Sequence, residues 1–169
     1  GLPGCAAAGA LGSVTTLDPE LQRAMEPRAA PPSRRLAAIE ILARAGVPVG
    51  VMVAPIVPGL TEHEIPRILA AAASAGAGFA GRVVLRLPHG VKELFDAWLA
   101  LHYPGRRAKV LSRLRAIRGG RLYDSGFGTR QRGEGFFADE MERLFELSRR
   151  RAGLAERGPA LATAHFRRP

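Results

Sequence analysis

The clearest pattern along the chain is the alternation in Val47–Ala54, where Val49, Val51 and Val53 interleave with Gly50, Met52 and Ala54. A period of two, rich in Val and with no charge on either face, predicts a strand buried on both sides in a parallel sheet. Pro55 and Pro58 are expected to end its pairing, since neither has an N–H to donate. Gly59 turns the chain. Thr61 and Glu64 have capping-box spacing, so a helix to about Ala75 should follow. Pro66 would sit inside the second turn of that helix, which requires either an irregular first turn or a start near Ile65. Upstream, Ser13–Leu17 reads as a short strand. Asp18 and Pro19 cap and begin a helix to Met25, and Glu26-Pro27 breaks it. Ser33 is then placed to cap a helix with Leu36, Ile39, Leu42 and Ala43 on one face and Gly46 at its end. Downstream, 76–81 reads as a loop. Val83–Leu87 reads as a third strand, with Val83, Leu85 and Leu87 opposite Val84 and Arg86.

After Pro88 the period changes. Val91, Leu94, Phe95 and Trp98 mark a helix that stops before Pro104. Val110, Leu111, Leu114 and Ile117 mark another, closed by Gly119-Gly120. Arg121–Gly135 is a Gly- and Arg-rich loop, and Phe137, Met141, Leu144, Phe145 and Ser148 mark a last helix to about Gly153. The expected organisation is a disordered or truncated start over 1–12, strand-helix repeats over 13–88, a helical extension over 89–153 and a flexible tail over 154–169. Two strand-helix-strand repeats imply right-handed crossovers and a parallel sheet. Three strands cannot close a barrel, which takes about eight. They make half of an open one, so strands this apolar should be completed by something N-terminal to Ser13 or by another chain.

Composition adds less. Of the 169 residues, 47% are hydrophobic, enough for one moderate core. No apolar run has the ~18 residues of a membrane span, and the first twelve residues lack the features of a signal peptide, so a cytoplasmic location is expected. Cys5 is the one cysteine, which excludes an intramolecular disulfide or a cysteine metal cage. His63, His89, His102 and His165 share no metal-ligand spacing. The net charge is +10, and residues 91–169 carry +8 of it. Attraction to nucleic acid is one reading. A compositional bias toward Arg is the other, since 23 of the 25 basic residues are Arg.

Two arginines stand out on physical grounds. Arg86, on a strand otherwise apolar, should meet a carboxylate or a ligand, because an unpaired buried charge is very costly. Arg28 follows the rigid Pro27, which would aim its fork at a carboxylate. The small residues Gly50 and Ala54, with Met52, form the face expected to look into the barrel, where they leave room for a ligand or allow close packing.

Several segments resemble a known family. Val14-Thr-Thr-Leu-Asp18, Met25-Glu-Pro-Arg28, Pro55-Ile-Val-Pro-Gly-Leu-Thr-Glu62 and Arg86-Leu-Pro88 resemble the second half of radical SAM proteins, closest to an uncharacterised bacterial group related to spore photolyase. Tyr123-Asp124, Gly128-Thr-Arg130 and Arg132-Gly-Glu-Gly135 resemble the C-terminal extension of that group. The resemblance implies an α/β fold: the C-terminal half of a partial (β/α) barrel, with three parallel strands and flanking helices, followed by an α-helical extension. The implied cofactors are S-adenosylmethionine and a [4Fe-4S] cluster, and the implied chemistry is generation of a deoxyadenosyl radical. The family holds its cluster through a Cys-x-x-x-Cys-x-x-Cys loop that this sequence lacks. The chain therefore resembles a truncated member, inactive by itself and wanting an N-terminal half-barrel. By resemblance, Pro55, Val57 and Gly59 lie near the adenine, and Ser13 and Thr15 near the ribose or amino-acid end. Met52, Arg28 and Arg86 complete the candidate cofactor-binding set. Glu62, which closes the Pro55-x-Val57-x-Gly59 motif, is expected to be structural. Substrate and oligomeric state are not legible. The alternative expectation is a basic nucleic-acid-binding module, or a protein like a DNA-repair lyase, without catalysis of its own.

Overall fold

The computed structural model describes residues 8–122 and 131–162. Its elements run β1 (Ala10–Val14), α1 (Pro19–Met25), α2 (Pro32–Arg44), β2 (Val49–Ile56), a 3-10 turn (Glu62–Glu64), α3 (Ile65–Ser74), β3 (Phe79–Val84), α4 (Val91–His102), α5 (Pro104–Ala116) and α6 (Phe136–Arg151). The three strands form one parallel sheet in the order β1-β2-β3. The α/β fold expected from the alternation is therefore present.

Side chains divide between the two faces as the pleat requires. Val49, Val51 and Val53 are fully buried, and α2 and α3 pack on that side. Ile39 of α2 lies over Gly12, and α6 packs on α3. The opposite face carries three rows set by register. Leu11 lies beside Gly50 and Phe79, and Ser13 lies beside Met52 and Gly81. Beyond the end of β1, Thr15 meets Ala54. Leu11 is 54% exposed on this face.

The bounds of all three strands and the starts of two helices differ from expectation. β1 occupies Ala10–Val14 instead of Ser13–Leu17, so residues 10–12 are ordered strand and not part of a featureless start. Thr16 and Leu17 leave the sheet because Glu64 captures the Thr16 hydroxyl and the Leu17 N–H. β2 continues through Pro55 to Ile56. A register shift between Val53 and Ile56 places the proline where its missing N–H breaks no ladder bond. β3 occupies Phe79–Val84, four residues earlier than Val83–Leu87 at its start. Gly81 is tolerated there because the Met52 side chain packs on it. Arg82 is tolerated because it pairs with Glu142 and lies over the Phe145 ring at 5.7 Å. Burial lowers the pKa of Arg82, with Arg132 adding to the effect and Glu146 opposing it. Finally, Thr61 makes no capping box. Its hydroxyl accepts from Val57 N at 2.8 Å, closing the loop, and α3 begins at Ile65 with Pro66 in its first turn. Likewise α2 starts at Pro32, with no side-chain cap from Ser33.

Other expectations match. Asp18 caps α1 by accepting from Glu20 N and Leu21 N, with Pro19 at the first position. The helices over Val91–His102, Pro104–Ala116 and Phe136–Arg151 fall where the periodicity put them. Trp98 anchors α4 to the end of α1, its Nε1 donating to Ala24 O at 2.9 Å.

The segment after α6 is docked where a flexible tail was expected. Leu154 is buried, Ala155 N donates to Gly78 O at 2.9 Å, and Ala80 N donates back to Ala155 O at 3.0 Å. From there the chain passes Phe79 at Gly158 and reaches the start of β1, where Leu161 lies near Gly9. It forms a strap across the N-terminal end of the sheet.

Candidate functional site

In parallel α/β sheets, ligands gather at the C-terminal ends of strands, because the loops there carry groups the strands hold in fixed directions. Here that end is built from the exits of β1 and β2. Thr15 is fully buried and its hydroxyl donates to Ala54 O at 3.0 Å, locking the two exits together. Ser13 lies one row below, exposed, beside Met52. Its carbonyl accepts from Arg35 Nη1 at 3.0 Å, and Arg35 also reaches Ala30 O and pairs with Glu26 at 2.8 Å. Ser13 and Met52 therefore share one face, with Thr15 just beyond the end of β1 and Pro55 in the irregular end of β2.

The remaining candidates go elsewhere. Val57 is buried and points into the core. Gly59, at φ +86, sits where an added Cβ would crowd Val110 of α5, so it serves a close approach of loop to helix. Glu62 pairs with Arg113, which lies over Phe137 at 5.0 Å; this is the structural role expected of it. Arg28 is exposed between α1 and α2 and pairs with no described residue. Arg86 lies past the end of β3 and not within a strand. Its Nε is buried without a hydrogen-bond partner, and neither Asp18 nor Glu26 pairs with it, since Asp18 caps α1 and Glu26 holds Arg35.

The space above Gly50 is not left for a ligand. A Cβ there would clash with the Phe79 ring, and so would a Cβ at Gly158, which also borders that ring. Of the two readings of the small residues, close packing holds for Gly50, and the Ala54 carbonyl is taken by the buried Thr15 hydroxyl. Sequence reasoning missed both the Phe79 plug and Glu64. The one signal for Glu64 was a glutamate at a helix start whose expected cap was not formed. Glu64 is 4% exposed, and both of its oxygens are satisfied, by Thr16 Oγ1 at 2.5 Å and Leu17 N at 2.8 Å. It stitches β1 to the start of α3.

Comparison with known proteins bears on this segment. Residues 8–72 match the Radical SAM superfamily. That match runs from the approach to β1 into α3, so it includes Ser13, Thr15, Arg28, Met52, Pro55, Val57 and Gly59 and stops before Arg86. The uncharacterized protein Mb2609c of Mycobacterium bovis and the uncharacterized protein Rv2578c of Mycobacterium tuberculosis are each 35% identical to this chain over 107 residues. The aligned region is 62% of this chain and 30% of either relative, so the chain spans under a third of the curated relatives it matches. No solved structure matches.

The radical SAM match implies a [4Fe-4S] cluster and S-adenosylmethionine, and the residues present fit these two groups differently. A three-thiolate cluster does not fit, because the chain has one cysteine, Cys5, which lies outside the described residues. Among the described residues no three His, Cys, Asp or Glu side chains converge as a ligand set. S-adenosylmethionine fits in part, since Ser13 is exposed on the face opposite the helices, beside the buried Thr15–Ala54 pair. Tyr123-Asp124 and Gly128-Thr-Arg130 lie outside the described residues. No helix among those described is long and apolar enough to cross a membrane.

Proposed function

We propose that this chain supplies the C-terminal three strands and helical extension of a radical SAM enzyme of the group related to spore photolyase. In the complete assembly, S-adenosylmethionine is the source of a deoxyadenosyl radical. The observation that carries this reading is the coincidence of the radical SAM match at 8–72 with a parallel half-sheet that has helices on one face and Ser13, Thr15 and Met52 on the other. In this reading those three residues and Pro55 contact the cofactor, and Arg86 faces it from the end of β3. Thr15 orients the site: its proton is committed to Ala54 O, which leaves its oxygen lone pairs as acceptors. The cluster thiolates come from outside this chain, from an N-terminal half-barrel that pairs with β1. A cytoplasmic site of action accompanies the reading.

The test is reconstitution. The chain is expressed with and without a radical SAM segment that bears the Cys-x-x-x-Cys-x-x-Cys loop, and both preparations are loaded anaerobically with iron and sulfide. The expected result is no cluster in the chain alone, and release of 5′-deoxyadenosine from S-adenosylmethionine only in the pair. A stoichiometric cluster in the chain alone, or no nucleoside from a pair that binds iron, would reject the proposal.

The alternative, a nucleic-acid-binding module, draws on α5, whose first turn has no acidic residue and whose Arg106 and Lys109 are exposed. It predicts a steep loss of DNA affinity with salt as counterions are released.

A further inference from the structure

A second concavity lies off the open sheet face, among the N-terminal ends of α1, α3 and α5. It has a volume of about 470 Å³, within the range of small-molecule sites. Leu17, Leu21 and Leu60 give it an apolar wall, and the polar groups are Asp18, His63, Glu64, Arg67, Tyr103 and Arg106. Of the lining residues, Leu17, Asp18 and Leu60 belong to segments that carried the family resemblance, and the other polar groups do not.

The hydrogen bonds show which of these groups are already committed. Glu64 has both oxygens engaged, by Thr16 and Leu17. Asp18 uses one oxygen, Oδ1, to cap α1 through Glu20 N at 2.8 Å and Leu21 N at 3.3 Å. Its Oδ2 makes no such bond. Arg67, on the first turn of α3, and Arg106, on the first turn of α5, have no carboxylate within ion-pair distance among the described residues. By contrast Arg35, Arg107, Arg113 and Arg149 are each paired. The cavity thus presents two guanidinium forks and one carboxylate oxygen that the described residues do not engage. Two acids and two arginines nearly balance its charge, which disfavours a polyanion. A ligand carrying both signs matches better.

The walls are fixed in advance, which lowers the ordering cost of binding. Glu64 ties the α3 side to β1. On the other side Trp98 holds α4 to α1, and its ring lies 5.4 Å from that of Tyr103, the residue between α4 and α5. Burial raises the Tyr103 pKa, with Asp18 and Glu20 adding to it, so the phenol keeps its proton as a donor at the cavity wall.

We propose that this cavity binds a small zwitterion of the α-amino acid class with an aliphatic side chain. Its carboxylate is held by Arg67 and Arg106, its ammonium by Asp18 Oδ2, and its side chain by Leu17, Leu21 and Leu60. The carboxylate–guanidinium pairing uses the planar, bidentate geometry Arg supplies. This site is distinct from the Ser13–Thr15–Met52 face and does not depend on the cofactor assignment made for it.

The test uses the full chain and three named probes followed by isothermal titration and amide chemical shifts. The probes are L-leucine, 4-methylpentanoate, which lacks the ammonium, and isoamylamine, which lacks the carboxylate. Leucine is expected to bind saturably, and each truncated probe at least tenfold more weakly, a difference of about 1.4 kcal/mol. Asp18→Asn keeps a good helix cap and removes the charge. It should weaken leucine about tenfold and leave 4-methylpentanoate unchanged. Arg67→Met with Arg106→Met, both at exposed positions, should abolish binding of leucine and 4-methylpentanoate and leave melting unaltered. Absence of saturable leucine binding overturns the proposal. So does equal binding of leucine and isoamylamine, or leucine binding that survives the double arginine substitution. Since none of these readouts involves iron or S-adenosylmethionine, failure here leaves the radical SAM reading standing, and failure there leaves this one.

Discussion

The two edges of the sheet are finished differently. On β3 both ends of the outer edge are covered: Ala80 N and Gly78 O are bonded to Ala155, and Val84 N donates to Gln131 O at 2.9 Å. On β1, Ala10 N points inward to Pro48 O, so by the alternation of a strand Leu11 and Ser13 direct their N–H groups outward. Among the described residues nothing meets those two amides. Arg35 on the Ser13 carbonyl is the one cover, and Leu11 lies half exposed on the open face beside the edge. A parallel, apolar edge left unpaired is an invitation to another strand. The contrast therefore assigns a direction to the sheet: it is closed on the side of its own C-terminal strap and open on the side where a further strand would join.

The contrast can be broken from the closed side first. Phe79→Ala removes the ring held between Gly50 and Gly158 and should cost about 3 kcal/mol, the lower end for a phenylalanine cavity because the ring is not fully buried. Urea denaturation would measure it, and hydrogen exchange should show Ala80 losing protection with the strap. Glu64→Ala acts at the other side, leaving the Thr16 hydroxyl and Leu17 N–H unpaired, and should cost roughly 1–3 kcal/mol in the same assay. Smaller again is the effect of acid. The hydrogen bond from Arg149 holds the Glu146 carboxyl below its ordinary value of 4.5, while Arg149 also donates to Leu154 O at the start of the strap. A depressed carboxylate contributes stability that is present above its unfolded pKa and lost as pH falls through the folded one. Exchange at Ala155 should thus quicken below about pH 4.5 while β2 amides hold. Least in stability is Leu11→Lys, expected to change melting by under about 0.5 kcal/mol. Light scattering should nevertheless show reduced self-association, because a charge beside the open edge discourages strand pairing.

Much of this architecture was legible in the sequence. The Val49–Val51–Val53 alternation and the helical spacings after Pro88 located β2 and three helices, because a buried face imposes its period on the residues. The boundaries of β1 and β3 were not legible. Glycines and an arginine inside strands argue against pairing unless one knows that Met52 covers Gly81 and that Glu142 meets Arg82, and those partners are distant in sequence. The site was legible in part for the same reason. Ser13, Thr15, Met52 and Pro55 lie within or beside the strands whose pattern was clear. Arg86 was placed by the misregistered β3, and Gly59 and Val57 serve loop packing that no local pattern announces. Glu64 and the cavity at Asp18, Arg67 and Arg106 arise only when three helix starts are brought together.

The central claim, that β1 is the unfinished edge of the sheet, is tested most directly by amide hydrogen exchange resolved to single residues. The account predicts that Leu11 and Ser13 exchange rapidly in the isolated chain while Ala80 and Val84 are protected, and that Leu11 and Ser13 become protected when the cluster-bearing half is supplied. Equal, strong protection of all four amides in the isolated monomer would contradict it.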